Sequence, residues 1–257
     1  MRTSIVLITL IAFQSLNTNS QAADTGKDAV AGLVRALGYG GAIHNFKNYV
    51  LRGDEKYRAA AEKMFAQSET LLNQLSKTKG LTKEETAAAK TISEIVNAYQ
   101  THLPSIGKLH KQGKTVESID EAVTVDDSPA IEAVTLLRVK HTWTKIEDLD
   151  FHIGYGTGIH NFKNFVLRAD EKYRARATLG LSKVLLIVAR FRSTDSLSDD
   201  QTKALDQIER VVRAYEVAIP KVQELVGEGK TAAEIDAAVK VDDAPGLAAL
   251  STLRKAK

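Results

Sequence analysis

Apolar residues recur along this chain at helical spacing. Ile92, Val96, Tyr99 and Leu103 lie on one face of a 3.6-residue period. Tyr39, Ala42, Ile43, Phe46, Tyr49, Val50 and Tyr57 form a second such stripe, which predicts a buried helix side. Cap and stop signals divide the pattern. Asp24 or Thr25 is placed to cap a helix running to Arg52. A second helix is predicted over about 54–77, with Asp54 and Glu55 in its first turn, where the helix dipole favours acids. Lys79-Gly80 is a stop, and Thr82 with Glu85 is a capping box for a third helix. Pro104 kinks that helix and Gly113 ends it. Thr115 opens a short helix, as does its counterpart Thr231 with Glu234. Pro129 suits the first turn of the next helix, where a missing N–H is harmless. No Pro, Gly or turn cluster lies between Pro129 and Gly154, so one nearly continuous helix is expected from Pro129 to about Arg168.

A self-similarity at an offset of 116 residues organises these elements. GYGGAIHNFKNYVLRGDEKYR (38–58) recurs as GYGTGIHNFKNFVLRADEKYR (154–174), with 17 of 21 positions identical. Tyr99 maps to Tyr215, Pro104 to Pro220 and VDDSP (125–129) to VDDAP (241–245). Between these segments, residues 59–98 match at only 9 of 40 positions. Residue identity is therefore retained in both copies mainly at 38–58 and in the later loop. The expectation is an all-α protein of two tandem four-helix-bundle-like repeats, 23–141 and 142–257, joined by a long helix.

Composition narrows the chemistry. The 257 residues contain 35 Lys+Arg, 32 Asp+Glu and no Cys, for a net charge of +3. Absence of Cys removes thiol nucleophiles, disulfides and Cys-ligated metal. The small net charge, with no dense basic run, argues against a nucleic-acid partner. Residues 1–22 read as a signal peptide: Arg2, the apolar run Ile5 to Phe13, then Ser20-Gln21-Ala22 as a small-x-small cleavage site. That run is about half the ~20 residues a membrane span needs. The expected location is periplasmic or secreted, with no membrane span in the mature chain.

The string helix, L-x-G-D-x-x-Y, helix, present as VLRGDEKYR (50–58), resembles the first hairpin of the extracytoplasmic four-helix-bundle sensor domains of bacterial chemoreceptors, the methyl-accepting chemotaxis proteins. Similar modules precede diguanylate cyclases and histidine kinases. The longer GYGGAIHNFKNYVLRGD, with VDDSPA downstream, resembles one subgroup of those sensors, and the resemblance covers roughly 30–140 and 146–257. It implies the bundle fold and a sensing or small-ligand role. These residues include neither the flanking transmembrane helices nor the cytoplasmic signalling module of such receptors.

Opposite the apolar stripe lie Gly40, His44, Lys47, Asn48, Leu51 and Arg52, repeated as Gly156, His160, Lys163, Asn164, Leu167 and Arg168. His44, Lys47, Asn48, Arg52, His160, Lys163, Asn164 and Arg168 offer donors and positive charge suited to a small anionic molecule. Two alternatives remain open at this point. Asp126, Asp127, Asp242 and Asp243 can pair with this face or cap the following helices, and the face can instead dock a membrane receptor of the same bundle type. No catalytic motif is present: GYGG lacks the third glycine of G-x-G-x-x-G and follows a helical pattern. No E-x-x-H pair or HExxH occurs, so no metal site or cofactor is expected, and the chain is not expected to be an enzyme.

Overall fold

The computed structural model describes residues 26–194 and 196–255; the expected leader at 1–22 and the Asp24/Thr25 cap lie outside them. Among the described residues the protein is all-α. The first half contains α1 (26–37), α2 (Ala42–Arg52), α3 (Glu55–Ser76), α4 (Lys83–Lys111), α5 (Val116–Ala122) and α6 (Ser128–Val139). The second half repeats this order as α7 (Lys145–Ile153), α8 (Gly158–Arg168), α9 (Glu171–Thr194), α10 (Asp199–Gly227), α11 (Ala232–Val239) and α12 (Ala244–Lys255).

The local signals account for most boundaries. Asp54 caps α3 through Lys56 N, and the capping boxes at Thr82–Glu85 and Thr231–Glu234 form as the sequence predicts. Pro129 sits in the first turn of α6. Pro104 and Pro220 lie inside α4 and α10, which continue past them. Ile92, Val96, Tyr99 and Leu103 are all buried.

Two expected long helices are broken. Instead of one helix from Pro129 to Arg168, α6 ends at Val139, residues 140–144 turn, α7 starts at Lys145, and a second turn at 154–157 precedes α8. The helix expected to run to Arg52 breaks at 38–41 in the same way. The physical causes are specific. Thr144 and Glu147 form a capping box that starts a new helix. Gly40 and Gly156 adopt φ of +72° and +79°, a left-handed conformation unfavourable for residues with a Cβ. Within the 140–144 turn, Trp143 packs against the core and its Nε1 donates to Arg138 O at 2.5 Å.

In the first half α3 packs between α2 and α4, and α6 lies on α4; in the second α9 packs between α8 and α10, and α12 lies on α10. The halves meet through α2 and α5 on one side and α8 and α11 on the other. Where the turns at 38–41 and 154–157 cross, a Cβ on Gly154 would sit 2.9 Å from Tyr39 N and 3.1 Å from Gly38 Cα, so only glycine permits this crossing.

Candidate functional site

Every residue of α2 from Ala42 to Leu51, and of α8 from Gly158 to Leu167, is buried. The polar side of each helix faces the opposite half, not solvent. This arrangement brings the sequence-predicted residues together in reciprocal pairs, as in an isologous interface. Arg52 grips Asp236 through Nε (2.7 Å) and Nη2 (3.0 Å), and Arg168 grips Asp120 in the same two-pronged way at 2.8 and 3.3 Å. Each guanidinium also donates to a tyrosine at the start of the following helix, Tyr57 or Tyr173. Lys47 Nζ donates to Asn164 Oδ1 at 2.7 Å, and Lys163 Nζ to Asn48 Oδ1 at 2.8 Å.

The histidines complete the pattern. His44 Nε2 lies 3.2 Å from Asp243 Oδ2, while Tyr215 donates to the other oxygen at 2.6 Å. His160 Nε2 lies 3.5 Å from Asp127 Oδ2, to which Tyr99 donates at 2.8 Å. Asn164 accepts from Lys47 through its carbonyl, and its amide nitrogen lies 3.0 Å from His160 Nε2. Asp126 and Asp242 play the local part: each accepts a backbone N–H at the start of α6 or α12, from Ser128 or Ala244. The caps and ion pairs of the four aspartates thus divide cleanly, with Asp127 and Asp243 in the interface and Asp126 and Asp242 at helix starts.

Burial dominates the electrostatics. It pushes His44 down, helped by Lys163, and lowers His160 to about 3, so both rings are neutral near pH 7. Burial also lowers Lys47 to about 8, against the attraction of Asp127, and lowers Lys163 in the same direction. Asp243 moves down despite its burial, because His44, Lys163 and Tyr215 hold its charged form. Two lysines, two arginines and four aspartates leave the interface formally neutral without any added ion.

Two clefts open onto this network. The first, about 670 Å³, is bounded by His44, Asn48 and Arg52 from the first half and by Lys240, Asp242 and Asp243 from the second. The second, about 610 Å³, is its counterpart, bounded by His160, Asn164, Arg168, Lys172 and Arg176 on one side and Asp126, Asp127 and Glu132 on the other. Six of the eight candidate ligand residues therefore line clefts. Lys47 and Lys163, with His44 and His160, line a small void of about 10 Å³ between the halves, room for about one water.

No family model, curated protein or solved structure matches this chain.

Sequence reasoning missed Asp120, Asp236, Tyr57 and Tyr173 as members of the constellation. Their signal was present, since each pair repeats at the 116-residue offset. Arg52 and Arg168 pair with these two aspartates, not with the Asp-Asp loops. Arg176 and Lys240 were also missed, and here no signal existed: their counterparts are Ala60 and Thr124. Among the described residues no group of His, Cys, Asp and Glu is placed to hold a metal, and no helix is long and apolar enough to cross a membrane.

Proposed function

We propose that this chain is an exported, non-enzymatic module of the sensor type that binds a small anionic ligand between its two repeats. One observation carries the reading: each cleft is walled by one repeat's histidine–asparagine–arginine helix and the other repeat's aspartate loop. A ligand in either cleft touches both halves, so its binding energy bears directly on how they sit together. The volumes fall within the ~300–1,000 Å³ usual for small-molecule sites. The second cleft is the stronger anion site. Arg168, Lys172 and Arg176 stand along one wall; Arg168 and Lys172 are bridged to Asp120 and Asp170, while Arg176 makes no salt bridge among the described residues. The sequence resemblance to chemoreceptor sensor domains and the leader-like residues 1–22 support the sensing and exported parts of the reading.

Thermal unfolding in inorganic phosphate and in short mono- and dicarboxylates tests it. At about 100 times Kd a ligand adds about 2.7 kcal/mol of apparent stability. The expected result is a saturable rise in Tm for at least one of these anions, diminished in Arg176→Ala. No rise with any of them, or an equal rise in Arg176→Ala, overturns the assignment to this cleft.

A further inference from the structure

The outward face of α9 differs from that of its counterpart α3. Arg176, Leu179, Lys183, Leu186 and Arg190 follow one another at steps of 3, 4, 3 and 4 residues, the spacing of a heptad seam. Leucine holds one seam position and a cation the other. Leu179 and Leu186 are 58% and 69% exposed, while the opposite side of the helix, with Leu181, Val184 and Val188, is in the core. The equivalent positions of α3 are Ala60, Lys63, Gln67, Thr70 and Gln74. Beyond Glu171, α9 has no acidic residue, whereas α3 carries Glu55, Glu62 and Glu69. Arg176, Lys183 and Arg190 make no ion pair with any described residue; the neighbouring Arg174 and Arg192 are paired with Glu171, Asp206 and Glu209.

We infer that this face of α9 docks an acidic amphipathic helix of a partner protein, leucines interdigitating along the seam and carboxylates meeting the three cations. The seam from 176 to 190 covers about 21 Å at ~1.5 Å per residue, enough for two heptads of contact. A second copy of this chain fits poorly, because pairing two such faces sets cations against cations. A bilayer surface also fits poorly. Interfacial helices segregate cations from apolar residues onto opposite faces, whereas here they alternate along one line and the truly apolar face is buried in the core. The surface is distinct from the cleft reading except at Arg176, which the test leaves intact.

The probe is a fluorescent three-heptad synthetic helix with Leu at the d positions and Glu at a, e and g. Its binding to the protein is compared with that of the same helix carrying Lys for Glu, and with co-sedimentation on phosphatidylglycerol/phosphatidylcholine vesicles. Saturable, salt-weakened binding of the Glu helix is expected, with the Lys helix not binding. Leu179→Gln/Leu186→Thr gives the seam the polar character of α3 and lowers affinity about tenfold or more. Because both leucines are exposed, the double variant keeps its helical content and Tm. Lys183→Glu/Arg190→Glu reverses the preference toward the Lys helix. Equal binding of the two helices, undiminished binding by the leucine variant, vesicle binding without helix binding, or no binding of the Glu helix overturns the inference.

Discussion

At position 169 the second repeat holds alanine where the first holds Gly53, and both adopt the left-handed conformation, with φ of 54° and 65°. A left-handed residue with a Cβ carries roughly 1–2 kcal/mol of strain, and glycine's freedom in the unfolded chain returns part of that difference. Ala169→Gly is therefore expected to raise the unfolding free energy by about 0.5–1 kcal/mol. The reverse change, Gly53→Ala, lowers it by more than 1 kcal/mol, since the new Cβ also meets His110 at 2.9 Å. Urea unfolding of both variants checks the pair, and a loss of stability in Ala169→Gly contradicts it. Lys47 gives a second expectation. Its ammonium is buried against an amide oxygen and its pKa falls from 10.5 to about 8. At pH 7 its charged form therefore opposes folding, and Lys47→Met should stabilise the protein by about 1–2 kcal/mol. The unfolded chain binds the extra proton between pH 8 and 10.5, so wild-type stability climbs through that window and the variant flattens the climb. His160 acts at the acid end. With a folded pKa of about 3 against 6.5 unfolded, its contribution is complete above pH 6.5 and is lost as the pH falls toward 3. Unfolding midpoints measured from pH 3 to 10 test both arms; a flat profile rejects the buried neutral histidine.

Among the elements, the capping boxes follow the S/T-x-x-E/Q pattern. Thr82–Glu85 and Thr231–Glu234 form as expected, and Thr144–Glu147 forms by the same rule at the place where a continuous helix is expected. The signal that breaks the connector was therefore present in the sequence; the lack of Pro and Gly masked it. Thr144→Ala removes the side chain that accepts from Glu147 N and should cost about 1 kcal/mol. If the same variant costs nothing, the break after Val139 is imposed by packing and not by the cap. The turns at 38–41 and 154–157 were harder to see. A G-Y-G string inside a good helical pattern reads as a weak stretch of helix, and only the approach of the other turn's backbone explains why glycine stands there. The polar side of α2 poses the same difficulty. Amphipathic spacing separates two faces, but it does not say whether the polar one meets water, a ligand or another helix.

For the whole molecule, the deciding contacts are reciprocal. Arg52–Asp236 and Arg168–Asp120 tie each half to the other, as do His44–Asp243 and His160–Asp127. Arg52→Leu leaves the buried Asp236 unpaired and should cost about 2–4 kcal/mol. The double variant Arg52→Leu/Asp236→Leu recovers much of that loss; additive losses show that the pair does not couple. Because each half carries both sides of the contact, a fragment of residues 23–141 is expected to pair with itself, Arg52 on Asp120 and His44 on Asp127 of the second copy. Sedimentation equilibrium gives its mass; a stable monomer refutes this self-complementarity. The helical class, the repeat, most caps and the buried face of α4 follow from sequence alone, because they depend on contacts within a few residues or on a period that the chain itself displays. Which aspartate each arginine meets, where the clefts open and that the lysines point inward were settled only when two helices 116 residues apart came face to face. The polar residues of α2 find their partners on the other half of the molecule, and no local pattern encodes that distance.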